Sequence, residues 1–503
     1  MAEDHKEEKE DGGGDGFSAI FEAIIVAPLL FVVHAIESVF GSGHGEHEHS
    51  VSLWWIINWL ADWGISRALV LWLMFIGIIF VLARQIPDLP MFFVAWFVGT
   101  MPIWLPVALL IVAWETWVNY VRSLHISHTQ SILLEIRIPR DIMKSPRAME
   151  LVFQNFRASG GEVTFLSRAW QGNERPHFSF EMASFGGEIH FYVWGPKKYR
   201  RFIESNIYAH YPEVEMVEVE DFMSKFRFDP KKYECHATDY IYFKNGSNRS
   251  DEYPLKSYID FELDKDPKEE FKIDPIAEVF ETLSSLKAHE QVWVQILIRK
   301  EGASHGPLIM HESTWKKRVK KEINNVKKEA SINPAYYDKR EELKDDPKLY
   351  LNAPRPTWQQ QETIKAMERH LGKVAFEVGM RAIYIADITA GKFDGVMRTQ
   401  VRYLWKPFIT PNYLNWLRPK YWHNDFDYPW QDYKNIRWNL ATRRELDKLR
   451  RRSFFYAPYE SEGMVMTGET LATLYHFPSR TIQSPGLQRI PAKKSAPPIN
   501  LPK

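Results

Sequence analysis

The chain has 503 residues, room for a membrane portion plus two or three soluble domains. Lys and Arg number 64, as do Asp and Glu, so the formal net charge is zero and no overall polyelectrolyte signal points to nucleic acid. The single Cys235 excludes an internal disulfide and any multi-cysteine zinc site.

Residues 1–16 are acidic and Gly-rich, the composition of a disordered leader. Their acidic start also excludes a secretory signal. Residues 17–64 are expected to hold an amphipathic or membrane helix followed by an interfacial helix. The stretch 17–40 is long enough to span a bilayer but carries Glu22, Pro28, His34 and Glu37. It is a third span or a helix lying in the interface. Residues 41–50 place His44, His47 and His49 beside Glu46 and Glu48. This is a metal-chelating run or a solvated linker, and His47 and His49 lack the i, i+4 spacing of ligands on one helix face. Residues 51–63 are too short to span and Trp-rich, which fits an interfacial helix.

Residues 65–121 organise the rest. The run 65–83 is apolar except near its start. The run 91–118 is apolar again, with Pro102 and Pro106 inside and Trp96, Trp104, Trp114 and Trp117 along it. About 20 such residues cross a hydrocarbon core, and backbone groups in lipid must pair within their own segment. Two helices joined by the tight link 84–90 are therefore expected, a transmembrane hairpin. Arg122, Arg137 and Arg140 follow it, and positive charge near a span stays cytoplasmic. A multi-pass protein of the cytoplasmic membrane, with its C-terminal body in the cytoplasm, is the expectation.

Residues 130–225 read as strand, helix, two strands, helix, strand. The first strand alternates Ile132, Leu134, Ile136 and Ile138 against Leu133, Glu135 and Arg137. Ser145-Pro146 opens a helix faced by Met149, Val152, Phe153 and Phe156. Strands 177–182 and 188–194 follow, then a helix after Pro196, then strand 213–220, whose apolar phase slips between Met216 and Val217 as at a bulge. This βαββαβ order is the ferredoxin-like split unit. Residues 235–405 repeat it. Residues 258–263 form its candidate first strand, with 239–243 paired beside it. Asp274-Pro275 opens a helix faced by Ile276, Val279, Phe280 and Leu283, and strands 291–298 and 373–386 precede a helix over 391–405. The fold class is therefore α+β, two tandem ferredoxin-like units behind a membrane hairpin.

The second unit is interrupted by a helical insertion over 310–370, whose stretches 314–330 and 358–371 are highly charged. They fit a helical hairpin projecting into water or against a partner. A basic stripe there touches nucleic acid or anionic lipid, or is a solvated face laced with Glu322 and Glu329. Residues 406–477 are aromatic- and Pro-rich, an irregular segment with a locally basic run at 443–452 and a short helix after Thr467 bearing Glu469 in its first turn. Residues 478–503 are a Pro-rich linker or strap.

No catalytic, cofactor-binding or metal set emerges. Gly391-Lys392 fails as a phosphate loop, because Ala386 stands where the first Gly belongs and Phe393 where the Mg-binding hydroxyl belongs. His311-Glu312 lacks the second His of a zinc-protease helix. His423-Asn424-Asp425 reads as turn chemistry. Glu181 and Glu377 fall on the polar phase of strands, where a solvent face is expected.

Several phrases occur together: SILLEIRIPRDIMKSPRAMELVF (131–153), FIESNIYAHYP (202–212), EVEMVEVEDF (213–222), DPIAEVFETLSSLKAHEQVWVQILI (274–298), and GETLATLYHFPS through PPINLP (468–502). In this order they resemble the membrane-anchored N-terminal half, a domain of unknown function, of large conjugation-type proteins of candidate-phylum bacteria. There it precedes an ATPase of the type IV secretion, HerA/FtsK-like class. This chain ends at Lys503, about where the relatives enter their nucleotide-binding domain. The resemblance implies an anchor and adaptor without the motor, not an enzyme. A separately encoded ATPase, the lipid bilayer and further copies of the chain are the expected partners. The alternative is a membrane-tethered sensor or ligand-binding module.

Overall fold

The computed structural model describes residues 74, 84, 89–139, 142, 144–159, 164–244, 247–248, 251–264, 274–302, 314–331, 354–409, 414–420, 430–456, 458–461, 463–479, 484–487 and 489–490. The expected leader, the helices of 17–64, the His-rich run and the first hairpin arm, apart from Met74, lie outside them. Two compact units are distinguished: residues 1–112 with 425–434, and residues 113–424 with 435–503.

Helix α1, Leu89–His128, is 40 residues long. From Leu89 to Trp114 it carries no charged side chain. Over Ala95–His128 it is the one helix among the described residues long and apolar enough to cross a membrane, and none of its apolar window is buried by the rest of the chain. Thr100 sits between the two internal prolines and Trp96, and its Oγ1 donates to the Trp96 carbonyl at 2.9 Å. Residues 129–130 then lead directly into the first strand.

The body that follows is a mixed helix and strand structure built on one sheet. In chain order its elements are β1 Ser131–Pro139, α2 Pro146–Asn155, α3 Phe165–Gln171, β2 His177–Phe185, β3 Glu188–Pro196, α4 Arg200–His210, β4 Glu215–Val219, α5 Phe222–Lys225, β5 Tyr233–Lys244 and β6 Ser247–Asn248. They continue with α6 Ile276–Ser284, β7 Glu290–Lys300, α7 Thr314–Glu329, α8 Trp358–Leu371, β8 Ala375–Asp387, α9 Gly395–Arg402, β9 Trp416–Lys420, α10 Ile436–Arg451, β10 Met464–Thr467, α11 Gly468–Leu474 and β11 Arg489–Ile490.

Among the described residues the sheet has eleven strands, and every neighbouring pair is antiparallel except β1 with β11. β4, β1, β3 and β2 lie side by side in that order. β7, β8, β5 and β9 continue the row. The seam is β2 against β7, antiparallel, with His177 opposite Arg299 at one end and Phe185 opposite Gln291 at the other. The two halves expected as tandem units therefore share a single continuous sheet. The long strands permit this: β2 and β7 are buried on both faces through their middles, so neither behaves as a free edge.

One face carries the main core. Phe178, Phe180, Met182, Val292, Val294, Ile296, Met380 and Ala382 project there and meet Phe153 of α2, Ile207 of α4, Phe280 of α6, Val401 of α9 and Leu474 of α11. The opposite face is thinner. Leu133, Ala183, Trp293, Ile383 and Ile385 meet Leu446 and Leu449 of α10 and Met223 of α5. The alternation of the strands thus feeds two apolar layers, not one layer and water.

Several local expectations change. Residues 258–263 are turns; Asp260 Oδ2 accepts from the Ser257 amide and hydroxyl, both at 3.0 Å, and Glu262 adopts φ 59°. Buried Tyr258 and Leu263 imitate a strand pattern there, and the strand itself is β5. β4 pairs with β1 without a slip in register, so no bulge exists. Met216 packs toward the main core and Val219 toward the thinner one, which explains apolar residues on both phases. The helix expected over 391–405 is the shorter α9, started by Asp394, whose Oδ1 accepts from the Val396 and Met397 amides at 2.9 and 3.2 Å.

The segment 406–477 is not merely irregular. It supplies β9, the 16-residue α10, β10 and α11. In the insertion, α7 and α8 fold back on the body: Val319, Ile323 and Val326 pack with Ile364, Met367 and Ala375. Residues 484–487 and 489–490 strap one sheet end, where Gly486 accepts from the Ile189 amide at 2.8 Å.

Candidate functional site

A polar row crosses the thinner face. By strand register it runs Glu135, Tyr192, Glu181, Gln295, Arg381, Asp239, one residue from each of β1, β3, β2, β7, β8 and β5. α10 and the chain after it close over its centre. Arg452 is buried and donates from Nε to Glu181 Oε1 at 3.0 Å and from Nη2 to Oε2 at 3.2 Å. Its Nη2 also reaches Asp221 Oδ1 at 3.0 Å. Gln295 donates to Glu181 Oε1 at 3.1 Å and to the Leu449 carbonyl at 3.0 Å, and accepts from Arg381 Nε at 2.8 Å. Arg381 donates further to the Lys448 and Ser453 carbonyls at 2.8 and 3.0 Å. Burial pulls the Arg381 guanidinium down to about 10. Such enclosed, paired charges specify one register and one cover helix; they are out of reach of a substrate.

A second constellation lies under the main core's rim. Glu469 in α11 is fully buried. Arg369 Nε stands 2.9 Å from its Oε1, His370 Nε2 3.6 Å from the same oxygen, and Lys373 Nζ 2.6 Å from Oε2. Lys373 also bridges to Glu150 Oε1 at 2.7 Å, and the Tyr258 hydroxyl donates to the other Glu150 oxygen. Burial would raise the Glu469 carboxyl, but the hydrogen bonds and charges of His370 and Lys373 hold it well below the usual carboxylate range. The cluster ties α2, α8 and α11 together. Beside it, His476 Nδ1 faces the Ala472 carbonyl at 2.8 Å and Nε2 faces Asp274 Oδ2 at 2.9 Å.

A third group lies where α1 meets the body. Glu377, expected at a solvent face, pairs with Arg299 and lies 3.7 Å from Arg175. The Arg299 guanidinium stacks over Phe455 and Tyr456, 4.5 and 5.0 Å from the ring centroids. Glu174 pairs with Arg122, yet burial pushes its carboxyl up to about 8.

An open surface groove of about 500 Å³ lies at the end of the thinner face. Phe185, Phe222, Phe226, Tyr233 and Trp293 line it with Lys225, Arg227, Lys232 and Asp229. Phe222 and Phe226 stand edge-on to Trp293 at 5.4 and 5.3 Å. Lys232 leans over Tyr233, 5.0 Å from its ring, and toward Asp387 at 3.6 Å. Its volume falls in the range of small-ligand sites, and aromatic walls with cations suit a flat ligand with an anionic end.

His44, His47, His49, His311 and His423 lie outside the described residues. Among the described residues no group of three His, Cys, Asp or Glu side chains is placed to hold a metal. Gly391 ends a turn in which Asp387 Oδ1 accepts from the Thr389 amide at 3.0 Å, and α9 begins beyond it. Glu181 is the position most changed by the structure: the sequence pattern pointed it to water, and α10 encloses it. The available signal was its company, since Glu181, Gln295, Arg381 and Asp239 each sit at the middle of a strand.

No curated protein and no solved structure matches the chain. Residues 126–391, more than half of the 503, match the family described as "Domain of unknown function (DUF8128)". They run from the last turn of α1 to the turn after β8, and the chain belongs to that family.

Proposed function

We propose that the chain is a non-catalytic, membrane-anchored scaffold of a type IV secretion or conjugation-like translocation machine, docking a separately encoded HerA/FtsK-like ATPase. The observation that carries this is the direct run of α1, exposed and apolar, through a two-residue link into β1 of the large sheet. An anchor joined so closely to a body transmits force and fixes its position. In this reading residues 65–83 and α1 form the hairpin of a multi-pass protein, and the body lies in the cytoplasm. The body is two ferredoxin-like units fused edge to edge, a reading supported by the matching strand orders β4-β1-β3-β2 and β9-β5-β8-β7. The outer face of α7, with exposed Lys317, Lys320 and Lys321, offers a cationic docking surface.

Carbonate washing of native membranes, then affinity purification and mass spectrometry, tests the proposal. Retention in the pellet and recovery of a Walker-motif ATPase are expected. Release by carbonate, or a lone monomer without an ATPase, overturns it.

The groove favours a second reading, a membrane-tethered ligand-binding module. A thermal shift with a small aromatic anion, abolished by Arg227→Ala with Lys232→Ala, would select it.

A further inference from the structure

We infer that the short helix α3, Phe165–Gln171, is a membrane-interface wedge that sets the depth and tilt of the body against the bilayer; this rests on the membrane reading of α1.

The helix is built inside out for a water-facing element. Phe165, Leu166 and Trp170 are 62, 67 and 57% exposed, whereas Ala169 is 1% exposed. It is pinned to α1 by specific contacts. Trp117 Nε1 donates to the Ala169 carbonyl at 3.1 Å. Trp114 stacks on Phe165 with centroids 5.9 Å apart, and Trp117 meets Trp170 edge-on at 5.6 Å. Gly172 ends α3 with φ +67°, and a Cβ there would lie 2.4 Å from the Val121 carbonyl oxygen. Only glycine allows this close approach. The large side chains are thus held outward by design of the backbone, not left over from poor packing.

Their position along α1 identifies what covers them. Residues 91–113 are uncharged, and at 1.5 Å per residue they measure roughly 34 Å, close to the ~30 Å hydrocarbon core. The aromatic collar of Trp114, Trp117, Tyr120, Phe165 and Trp170 begins where that length ends. Trp and Tyr belong at this level of a bilayer. Lys197 and Lys198 are exposed beside the end of α1, where the Lys197 amide donates to the Gln130 carbonyl at 2.9 Å. Hydrocarbon-length helix, aromatic collar and then cations is the order of a membrane boundary facing anionic headgroups. The occupant is the lipid interface.

The test uses the full chain in phosphatidylcholine–phosphatidylglycerol vesicles, with an environment-sensitive fluorophore on one introduced cysteine. Native Cys235 is buried. Leu166→Cys places the probe on α3, Val107→Cys within α1, and Ser285→Cys on the exposed body. Shallow nitroxide lipids are expected to quench the Leu166→Cys probe severalfold more than deep ones. The Val107→Cys probe should show the reverse order, and Ser285→Cys neither. A Leu166→Cys probe that behaves like Ser285→Cys, while Val107→Cys stays in lipid, overturns the wedge and leaves the span standing. A Val107→Cys probe in water removes the span and the wedge with it. Quenching of the Leu166→Cys probe that follows protein density and ignores lipid type overturns the wedge in favour of a second copy on α3.

Discussion

Glu181 and Gln295 face each other across the β2–β7 seam, and the Gln295 amide donates to the Glu181 carboxylate at 3.1 Å. The same carboxylate is gripped by Arg452, 271 positions later in the chain. Sheet register and cover helix are therefore fixed by one group. Removing the guanidinium leaves a buried carboxylate uncompensated, which costs about 3–5 kcal/mol. Arg452→Ala is expected to lose that much in denaturant unfolding of the detergent-solubilised protein. Arg452 also sits at φ 49°, so Arg452→Gly should lose about 1 kcal/mol less than Arg452→Ala. Equal losses would show that the backbone there is unstrained, and a loss under ~1 kcal/mol for either would dismiss the ion pair as a determinant.

Two carboxyls contribute pH dependence of opposite sign. Glu469 has a lowered value in the folded chain, so its contribution is complete above the ordinary carboxylate value and fades as pH falls through the folded one. Stability of the native chain should therefore drop on acidification below about pH 4.5, and Glu469→Gln should flatten that drop while lowering the melting temperature at neutral pH. The variant retains Arg369, His370 and Lys373 without their carboxylate, which is the reason for the neutral-pH loss. Melting curves from pH 3 to 7 give both comparisons.

Glu174 acts in the other direction. Its folded value is pushed up to about 8 from an ordinary 4.5, so the folded chain holds a proton there that the unfolded chain has released. Stability is then lost as pH rises through that window. Glu174→Gln removes this contribution and should raise the melting temperature more at pH 8 than at pH 5. An identical shift at both values would mean that Arg122 keeps the carboxylate charged throughout.

Much of the first half of the sheet was legible because its pattern is local. Ile132, Leu134, Ile136 and Ile138 alternate, and Ser145-Pro146 and Asp274-Pro275 mark helix starts a few residues upstream of their apolar faces. What eluded sequence was non-local. The polar phase of β2 carries Ser179 and Glu181, which look solvated until α10 arrives from the far end of the chain. α10 itself hides its role, since its buried face mixes Thr442 and Glu445 with Leu446 and Leu449. The β2–β7 seam has no sequence signature, because both strands pattern equally well as edges of separate sheets. The groove combines Phe185 from β2 with Phe226 and Trp293, positions no spacing rule connects.

The strap after α11 depends on one small residue. A Cβ on Gly486 would lie 1.9 Å from the Gly187 carbonyl oxygen, within the turn that joins β2 and β3. Neither backbone can yield without losing the bond from the Ile189 amide to Gly486. Gly486→Ala is expected to cost about 1–3 kcal/mol and to expose residues 484–487 to protease before the rest of the body. Gly395→Ala is the control: nothing lies within 4 Å of its added Cβ at the start of α9, so it should be neutral or stabilising by under ~1 kcal/mol. Proteolysis that begins elsewhere in Gly486→Ala would show that the strap is not held by this contact.

Tyr475 gives the sharpest separation of packing from polarity. It is fully buried among Phe153, Phe180, Phe191 and Phe477, with ring centroids 5.3 to 6.5 Å away. Its hydroxyl has no hydrogen-bond partner among the described residues. An unpaired buried hydroxyl carries a desolvation cost of about 1–3 kcal/mol, whereas the ring contributes like the phenylalanines around it. Tyr475→Phe should therefore leave stability unchanged or raise it by about 1 kcal/mol. Tyr475→Ala should remove about 3–5 kcal/mol, because the cavity it leaves is lined by rigid rings that cannot collapse. If Tyr475→Phe instead destabilises by more than ~1 kcal/mol, the hydroxyl has a partner, and the core at α11 contains a bound water or a polar contact that holds it.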